Sequence, residues 1–191
     1  MKLVFATNNK HKFDEVASKV EANIELISLK NLNINEEIPE TKNTLEGNAT
    51  QKAMYIYENF GYNCFSDDTG LEIDALNGQP GVYSARYAGP DCTFEDNVNK
   101  VLKEMSGIIN RKARFRTVVA FVLKGEVHLF EGIVNGEIMT FTKGDKGFGY
   151  DPIFKPEGYN LTFAEMSLNQ KNEISHRGIA INKFIHFLTT L

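Results

Sequence analysis

Tryptophan is absent from this 191-residue chain, and cysteine nearly so, with Cys64 and Cys92 alone. No C-x-x-C pair and no Cys/His cluster with zinc spacing exists, which excludes a disulfide framework and a thiolate metal site. The two thiols read as reduced cytosolic ones. A membrane-spanning helix needs ~20 consecutive apolar residues, and no segment approaches that. The apolar run in the opening "MKLVFATNNK" is too short for a secretory signal. These absences describe a soluble, cytoplasmic protein with no membrane partner. A basic face is missing too: 21 lysines and arginines against 25 acids leave a net charge of −4. That argues against a nucleic-acid partner, yet leaves room for a local basic pocket around a small anion. No internal repeat, low-complexity tract or linker interrupts the chain. Hydrophobic residues make up 42% of it, enough to bury a core, and the length suits a single domain over residues 1–191, in two lobes around a shared sheet.

What is present is an alternation of strand and helix. "KLVFAT", Lys2–Thr7, reads as a buried strand, after which Phe13, Val16, Ala17 and Val20 recur at helical spacing. Ile24–Leu29 reads as a second strand. A polar segment, Asn31–Asn43, holds Glu36, Glu37, Pro39 and Glu40. It leads into a long helix marked by Leu45, Ala49, Ala53, Ile56 and Phe60, with Asn43 or Thr44 as N-cap. "NCF" reads as a strand that ends at Asp67-Asp68, where Gly70 allows a sharp turn. Thr93 and Asp96 have the spacing of an N-cap and its acid, opening a helix through Val98, Val101, Leu102 and Met105. "FRTVVAFVL" and "EVHLFEGIV" are strands joined by Lys124-Gly125, and Asn135-Gly136 is a stronger hairpin signal still. A last helix covers Ser175–Leu188. The class is α/β, with an antiparallel section in the second half.

Adjacent carboxylates repel, so Asp67-Asp68 raises the question of what holds the pair. A divalent cation removes the conflict. Glu40, Asp67 and Asp68 are hard oxygen ligands suited to Mg2+, with one aspartate leaning to metal and the other to water. The plainer reading is a surface Asx-turn. The acids are adjacent, so they do not match the D-x-D of aspartyl-phosphate phosphatases. No aromatic sugar platform supports a glycosidase. Between the first strand and helix, Thr7, Asn8, Asn9, Lys10, His11 and Lys12 combine a helix N-terminus with donors and charge. That is a phosphate site, or else an ordinary cap with solvated lysines; the glycines of a P-loop are missing. Lys52, on the long helix, is either solvated or placed to neutralise developing phosphate charge. In "GDKGFGYDPIF", Gly147 and Gly149 let backbone approach a flat group on which Phe148 stacks; a glycine-rich turn around a core aromatic is the alternative. Lys171, Ser175, His176 and Arg177 gather donors at the start of the last helix, and arginine can read a purine O6/N7 edge; the plainer reading is a basic N-terminal turn, which opposes the helix dipole. Together these pieces describe a nucleoside phosphate and its Mg2+.

The blocks "FATNNKHK", "SDDTGLEIDALNGQPGVYSARYAG", "GFGYDPIF" and "FAEMSLNQKNEISHRG" carry a resemblance. From Lys2 to about Phe187 the chain resembles the inosine/xanthosine triphosphate pyrophosphatase family, with the blocks in that family's order. The resemblance implies an elongated two-lobed α/β fold around a long mixed sheet, with the substrate cleft between the lobes. It implies a homodimer, dependence on Mg2+, and hydrolysis of ITP, dITP and XTP to the monophosphate and pyrophosphate, which cleanses the nucleotide pool. Thr7–Lys12 match the triphosphate-holding turn, Glu40 the metal-binding glutamate, and Lys52 a lysine near the phosphates. Asp67 and Asp68 match the acidic pair, with Asp68 as metal ligand and proton acceptor for the attacking water. Thr69 matches a substrate-touching hydroxyl. Phe148, Gly149, Tyr150 and Asp151 match the base-pocket motif, and Lys171, His176 and Arg177 match residues that read the base. A phosphatase of another kind, or a non-catalytic nucleotide binder, are the readings left beside it.

Overall fold

In the computed structural model, which describes residues 2–20, 24–34, 36 and 38–191, the chain opens on strand β1 (Lys2–Phe5) and helix α1 (Lys10–Ala17). Asn9 caps α1 by accepting the Lys12 N–H at 3.2 Å. Strand β2 (Glu25–Ser28) lies parallel to β1. Asn35 and Glu37 of the acidic segment lie outside the described residues. Helix α2 (Leu45–Phe60) starts at Thr44, whose hydroxyl accepts the Gly47 N–H, and stops at Gly61 in the left-handed region. There follow β3 (Cys64–Ile73), β4 (Pro80–Gly81), α3 (Phe94–Glu104), β5 (Lys112–Leu123), β6 (Glu126–Ile138), β7 (Phe154–Pro156), α4 (Leu168–Ile174) and α5 (His176–Leu188). The strands form one mixed sheet in the order β2-β1-β3-β5-β6-β7, with β4 paired to β3. The class is α/β, as the alternation of patterns implies.

Two local expectations are corrected. β3 does not end at Asp67-Asp68; it runs on through Thr69-Gly70 to Ile73. Gly70 is there for close approach rather than for a turn, since a Cβ on it would sit 2.7 Å from the Gly81 carbonyl oxygen of β4. Asn135-Gly136 is likewise inside β6 and not a hairpin. Gly136 pairs with Pro156 of β7, and a Cβ there would meet the Lys155 carbonyl oxygen at 2.3 Å. The hairpin turn that does form is Lys124-Gly125, with both residues at positive φ, 51° and 86°. The expected last helix is present as α5, and Ser175, extended at φ −71°, ψ 153°, separates it from α4.

The chain divides into two compact units: Met1–Asp68, Thr117–Gly132 and Arg177–Leu191 form the first, Thr69–Arg116 and Ile133–His176 the second. Successive side chains on a strand face opposite ways, and in the first unit this sorts β3 cleanly. Phe65 faces one core, with Leu3, Phe5, Val119 and Phe121 from neighbouring strands, Val16 of α1, and Ala180, Ile181 and Phe184 of α5. The Phe5 and Phe65 rings stack at 4.4 Å. Each such ring buried stabilises the fold by about 1.5–3 kcal/mol. Cys64 and Ser66 face the opposite way, and donate to the Ala53 and Ala49 carbonyls of α2. Burial pushes the Cys64 thiol up to about 12, so it is an inert core group. The second unit has its own core, in which Leu71 and Ile73 of β3 pack with Val98, Val101 and Met105 of α3 and with Phe115, Phe154 and Phe163.

Candidate active site

The alternation that separates Phe65 from Ser66 also separates the two aspartates. Asp67 shares its side of β3 with Phe65, the side of α1 and α5. Asp68 shares the side of Ser66, which is covered by α2. The strand therefore parts the neighbouring acids, and each has its own contact partners. Asp67, 1% exposed, accepts from the Lys12 ammonium of α1 at 3.0 and 3.1 Å and from Arg177 Nε of α5 at 3.2 Å. Arg177 also donates through a second nitrogen to Glu15 of α1. Burial opposes ionisation of Asp67, but Lys12 and Arg177 outweigh it and hold the carboxyl well below the usual range. Burial lowers Lys12 and opposes the charge on Arg177; Glu15 and Asp67 more than restore the latter.

Asp68, 8% exposed, meets a different set. Its Oδ2 accepts from Asn48 Nδ2 at 3.2 Å, and its Oδ1 lies 3.6 Å from Lys52 Nζ; both partners are on α2, one turn apart. Lys52 Nζ also donates to Glu40 Oε1. The loop that carries Glu40 is pinned to α2: Thr41 N–H donates to Gln51 Oε1 at 2.9 Å and Lys42 N–H to Asn48 Oδ1 at 2.8 Å. Burial raises the Asp68 carboxyl above the usual carboxylate range, and Lys52 and Lys12 offset this only in part. Burial also opposes the charge on Glu40 and Lys52, yet Lys52 holds Glu40 lowered, and Asp68 and Glu40 together hold Lys52 raised. A carboxyl poised upward beside a firmly charged lysine and glutamate has the character of a general base.

The residues also fit a divalent cation in one place. Glu40 Oε1 and Asp68 Oδ1 converge on a positive charge, the Lys52 ammonium. Hard oxygens arranged around a cation are what Mg2+ takes, alongside substrate phosphates and water. The trio Glu40, Asp67 and Asp68 is not brought together: among the described residues no three His, Cys, Asp or Glu side chains form a metal cluster. Asp67 lies on the other side of the strand with Lys12 and Arg177.

Of the turn Thr7–Lys12, Lys12 points to Asp67, Thr7 Oγ1 accepts the Asn9 N–H at 3.2 Å, and Asn9 is spent as the cap. Asn8, Lys10 and His11 are exposed, and Lys10 pairs with Asp14. Thr69 is the half-buried residue after Asp68.

In the second unit the expected base-pocket residues do meet. Asp151 Oδ2 accepts the Phe148 N–H at 2.9 Å and the Lys171 ammonium at 2.6 Å. Gly147, at φ +73°, makes this possible, since a Cβ on it would lie 2.0 Å from that oxygen. The Lys171 nitrogen sits 5.0 Å from the Phe148 ring centroid and 5.6 Å from that of Phe163. His176 stacks on Phe115 at 4.4 Å and 11°. Gly149 holds the turn at φ +60° with open space where a Cβ would go. Two expected members stand elsewhere. Tyr150 is buried and its hydroxyl donates to the Ser84 carbonyl at 2.8 Å, so it is a staple between two loops. Arg177 is with Asp67 and Glu15 in the first unit. Glu15 and Asn48 were not read from the sequence. Their signal was there: Glu15 lies three residues after Lys12, and Asn48 four before Lys52, the spacings that share a helix face.

One strand of this α/β sheet thus carries, on its two sides, a carboxylate held ionised by its cations and a carboxyl raised by burial. Known proteins agree with the sequence resemblance. Residues 3–187 match the model of the Ham1 family. A dITP/XTP pyrophosphatase of Flavobacterium johnsoniae is 53% identical over 99% of this chain and 98% of its own, and one of Porphyromonas gingivalis is 47% identical over 98% and 97%. The structure of the Staphylococcus aureus Ham1 protein superposes with a TM-score of 0.90 at 37% identity, covering 100% of this chain and 99% of that one. The chain belongs to the Ham1 family.

Proposed function

We propose that this chain hydrolyses deaminated purine nucleoside triphosphates (ITP, dITP and XTP) to the monophosphate and pyrophosphate, with Mg2+ as cofactor, and so cleanses the nucleotide pool. The observation that carries the reading is the division of labour across β3: Asp67 is neutralised by Lys12 and Arg177, while Asp68 is raised beside Lys52 and Glu40. The names of the relatives support the substrate class. Glu40 and Asp68 would hold Mg2+, which supplies charge neutralisation on the phosphate oxygens when bound. Asp68 takes a proton from water as the water oxygen attacks the α-phosphorus and the bond to the β-phosphate oxygen breaks. Lys52 and Lys12 stabilise the pyrophosphate that departs. Asp67 acts on Lys12 rather than on the metal.

Base recognition is assigned to the second unit. Lys171, fixed by Asp151, carries only donors. It matches the O6 acceptor of hypoxanthine or xanthine and leaves the amino group of adenine facing a donor. Phe148 offers a ring face. A homodimer and a nucleotide-holding cleft complete the proposal, and sedimentation tests the former. The test of function is product analysis: Mg2+ with ITP, dITP, XTP, GTP or ATP, pyrophosphate and orthophosphate measured separately. Pyrophosphate from the deaminated substrates, with little from ATP, is expected. Orthophosphate as the first product overturns the reading in favour of a phosphatase, and binding without product makes the chain a nucleotide binder.

A further inference from the structure

Asn48 is buried, at 1% exposure, on α2, whose other buried residues are Leu45, Ala49, Lys52, Ala53 and Ile56. Buried amides are found where their polar atoms are matched, and both of its ends are used. Oδ1 accepts the Lys42 N–H at 2.8 Å, on the loop two residues after Glu40. Nδ2 donates to Asp68 Oδ2 at 3.2 Å. The first bond decides the second. A backbone N–H can only donate, so the amide oxygen must face Lys42, and the end left for Asp68 can only donate too. Asp68 Oδ2 is thereby held as an acceptor, and Oδ1 is the oxygen turned to Lys52 and Glu40.

We propose that Asn48 is the positioning residue of this site: it fixes which oxygen of Asp68 works and ties that choice to the loop that carries Glu40. Lys52 cannot do this, because an ammonium with three rotatable donors accepts either oxygen. Neither can Ser66, whose hydroxyl is given to the Ala49 carbonyl. The proposal rests on the function reading above for its kinetic consequences, but not for its geometry.

Two variants separate orientation of Asp68 from anchoring of the loop. Asn48→Asp keeps an acceptor for the Lys42 N–H and places an acceptor against Asp68. Asn48→Ala removes both bonds. Partners that orient a working carboxylate cost about 10–100-fold when lost. Pyrophosphate release from dITP is therefore expected to fall by about 10–100-fold in kcat in both variants, with KM within about twofold. The melting temperature should fall in both variants, in Asn48→Ala because both bonds are lost and in Asn48→Asp because a second buried carboxyl faces Asp68. A kcat loss confined to Asn48→Ala, or one that follows the fraction of folded protein, overturns the proposal, because loop anchoring then explains everything. A crystal structure of each variant gives the activity-independent arm. A rotated Asp68 carboxylate supports the proposal, and an unmoved one overturns it. If the wild type releases no pyrophosphate, the function reading fails and this arm decides alone. If Asn48→Asp does not fold, the Asp68 orientation in Asn48→Ala carries the same decision.

Discussion

The two units handle charge in opposite ways. In the first, Glu15, Glu40, Asp67 and Asp68 are set among Lys12, Lys52 and Arg177, with Asp67 and Arg177 buried and Lys12 half-buried. In the second, the buried pair Asp151–Lys171 is framed by the rings of Phe148 and Phe163. Phosphate chemistry gathers and releases charge, so the protein supplies several counter-charges held in fixed places. Discrimination between flat, neutral bases needs one donor with a settled position and a hydrophobic wall. The first arrangement depends on balance and the second on direction. Substitutions in the first should therefore cost rate and stability, and in the second selectivity.

The sharpest break of this contrast is Asp68→Asn, which keeps shape and removes only the basic oxygen. Loss of a general base costs about 100- to 10,000-fold in rate, so pyrophosphate release should fall by about that factor with the melting temperature unchanged or higher. Asp151→Asn, the equivalent change in the second unit, should leave kcat for dITP within about tenfold and act mainly on KM. Equal collapse of kcat in both would erase the distinction between the units.

Next is Arg177→Ala. It strips the guanidinium from two buried carboxylates at once, Glu15 and Asp67. Removal of one partner from a buried ion pair costs about 3–5 kcal/mol, a loss that urea unfolding should read directly. If stability is untouched while nucleotide selectivity changes, the residue acts on substrate and its carboxylate partners are incidental. Lys171→Met is a smaller change. It retains the stem between the two rings and removes the donor; discrimination of dITP over dATP in kcat/KM should fall by about 10–100-fold. Unchanged discrimination would place base recognition elsewhere.

Much of this was legible in the chain. The N-cap at Thr44, one of two candidates the pattern allows, the Thr93/Asp96 capping box and the Lys124-Gly125 turn depend on residues close in sequence. What was not legible depends on tertiary proximity. Gly70 and Gly136 have the local look of turns, and only the approach of Gly81 and Lys155 reveals why glycine is required. Asp67 and Asp68 look like one metal site until β3 is known to continue, after which strand alternation must part them. Arg177 sits in a donor-rich segment next to His176, yet its partners lie 110 and 162 residues away. No local pattern encodes that choice.

The smallest predicted effect is a difference in sign between the two neighbours. Asp67 is held below the usual carboxylate range, so between the unfolded value of about 3.9 and its lower folded value the unfolded chain binds more protons. Stability then rises with pH in that window; the contribution of Asp67 is complete above about pH 4 and is lost as acid approaches the folded value. Asp68 is raised, so just above the unfolded value of about 3.9 the folded chain binds more protons, and its contribution falls as pH rises through the folded value. Melting temperatures of the protein without metal, followed from pH 7 down to the acid limit of folding, should therefore respond oppositely to two single substitutions. Asp67→Asn should flatten the acid loss of stability below about pH 4, and Asp68→Asn should remove a destabilisation that grows above it. Parallel shifts in the two variants would mean that the strand does not part the aspartates into separate electrostatic environments, and that they titrate as one coupled pair.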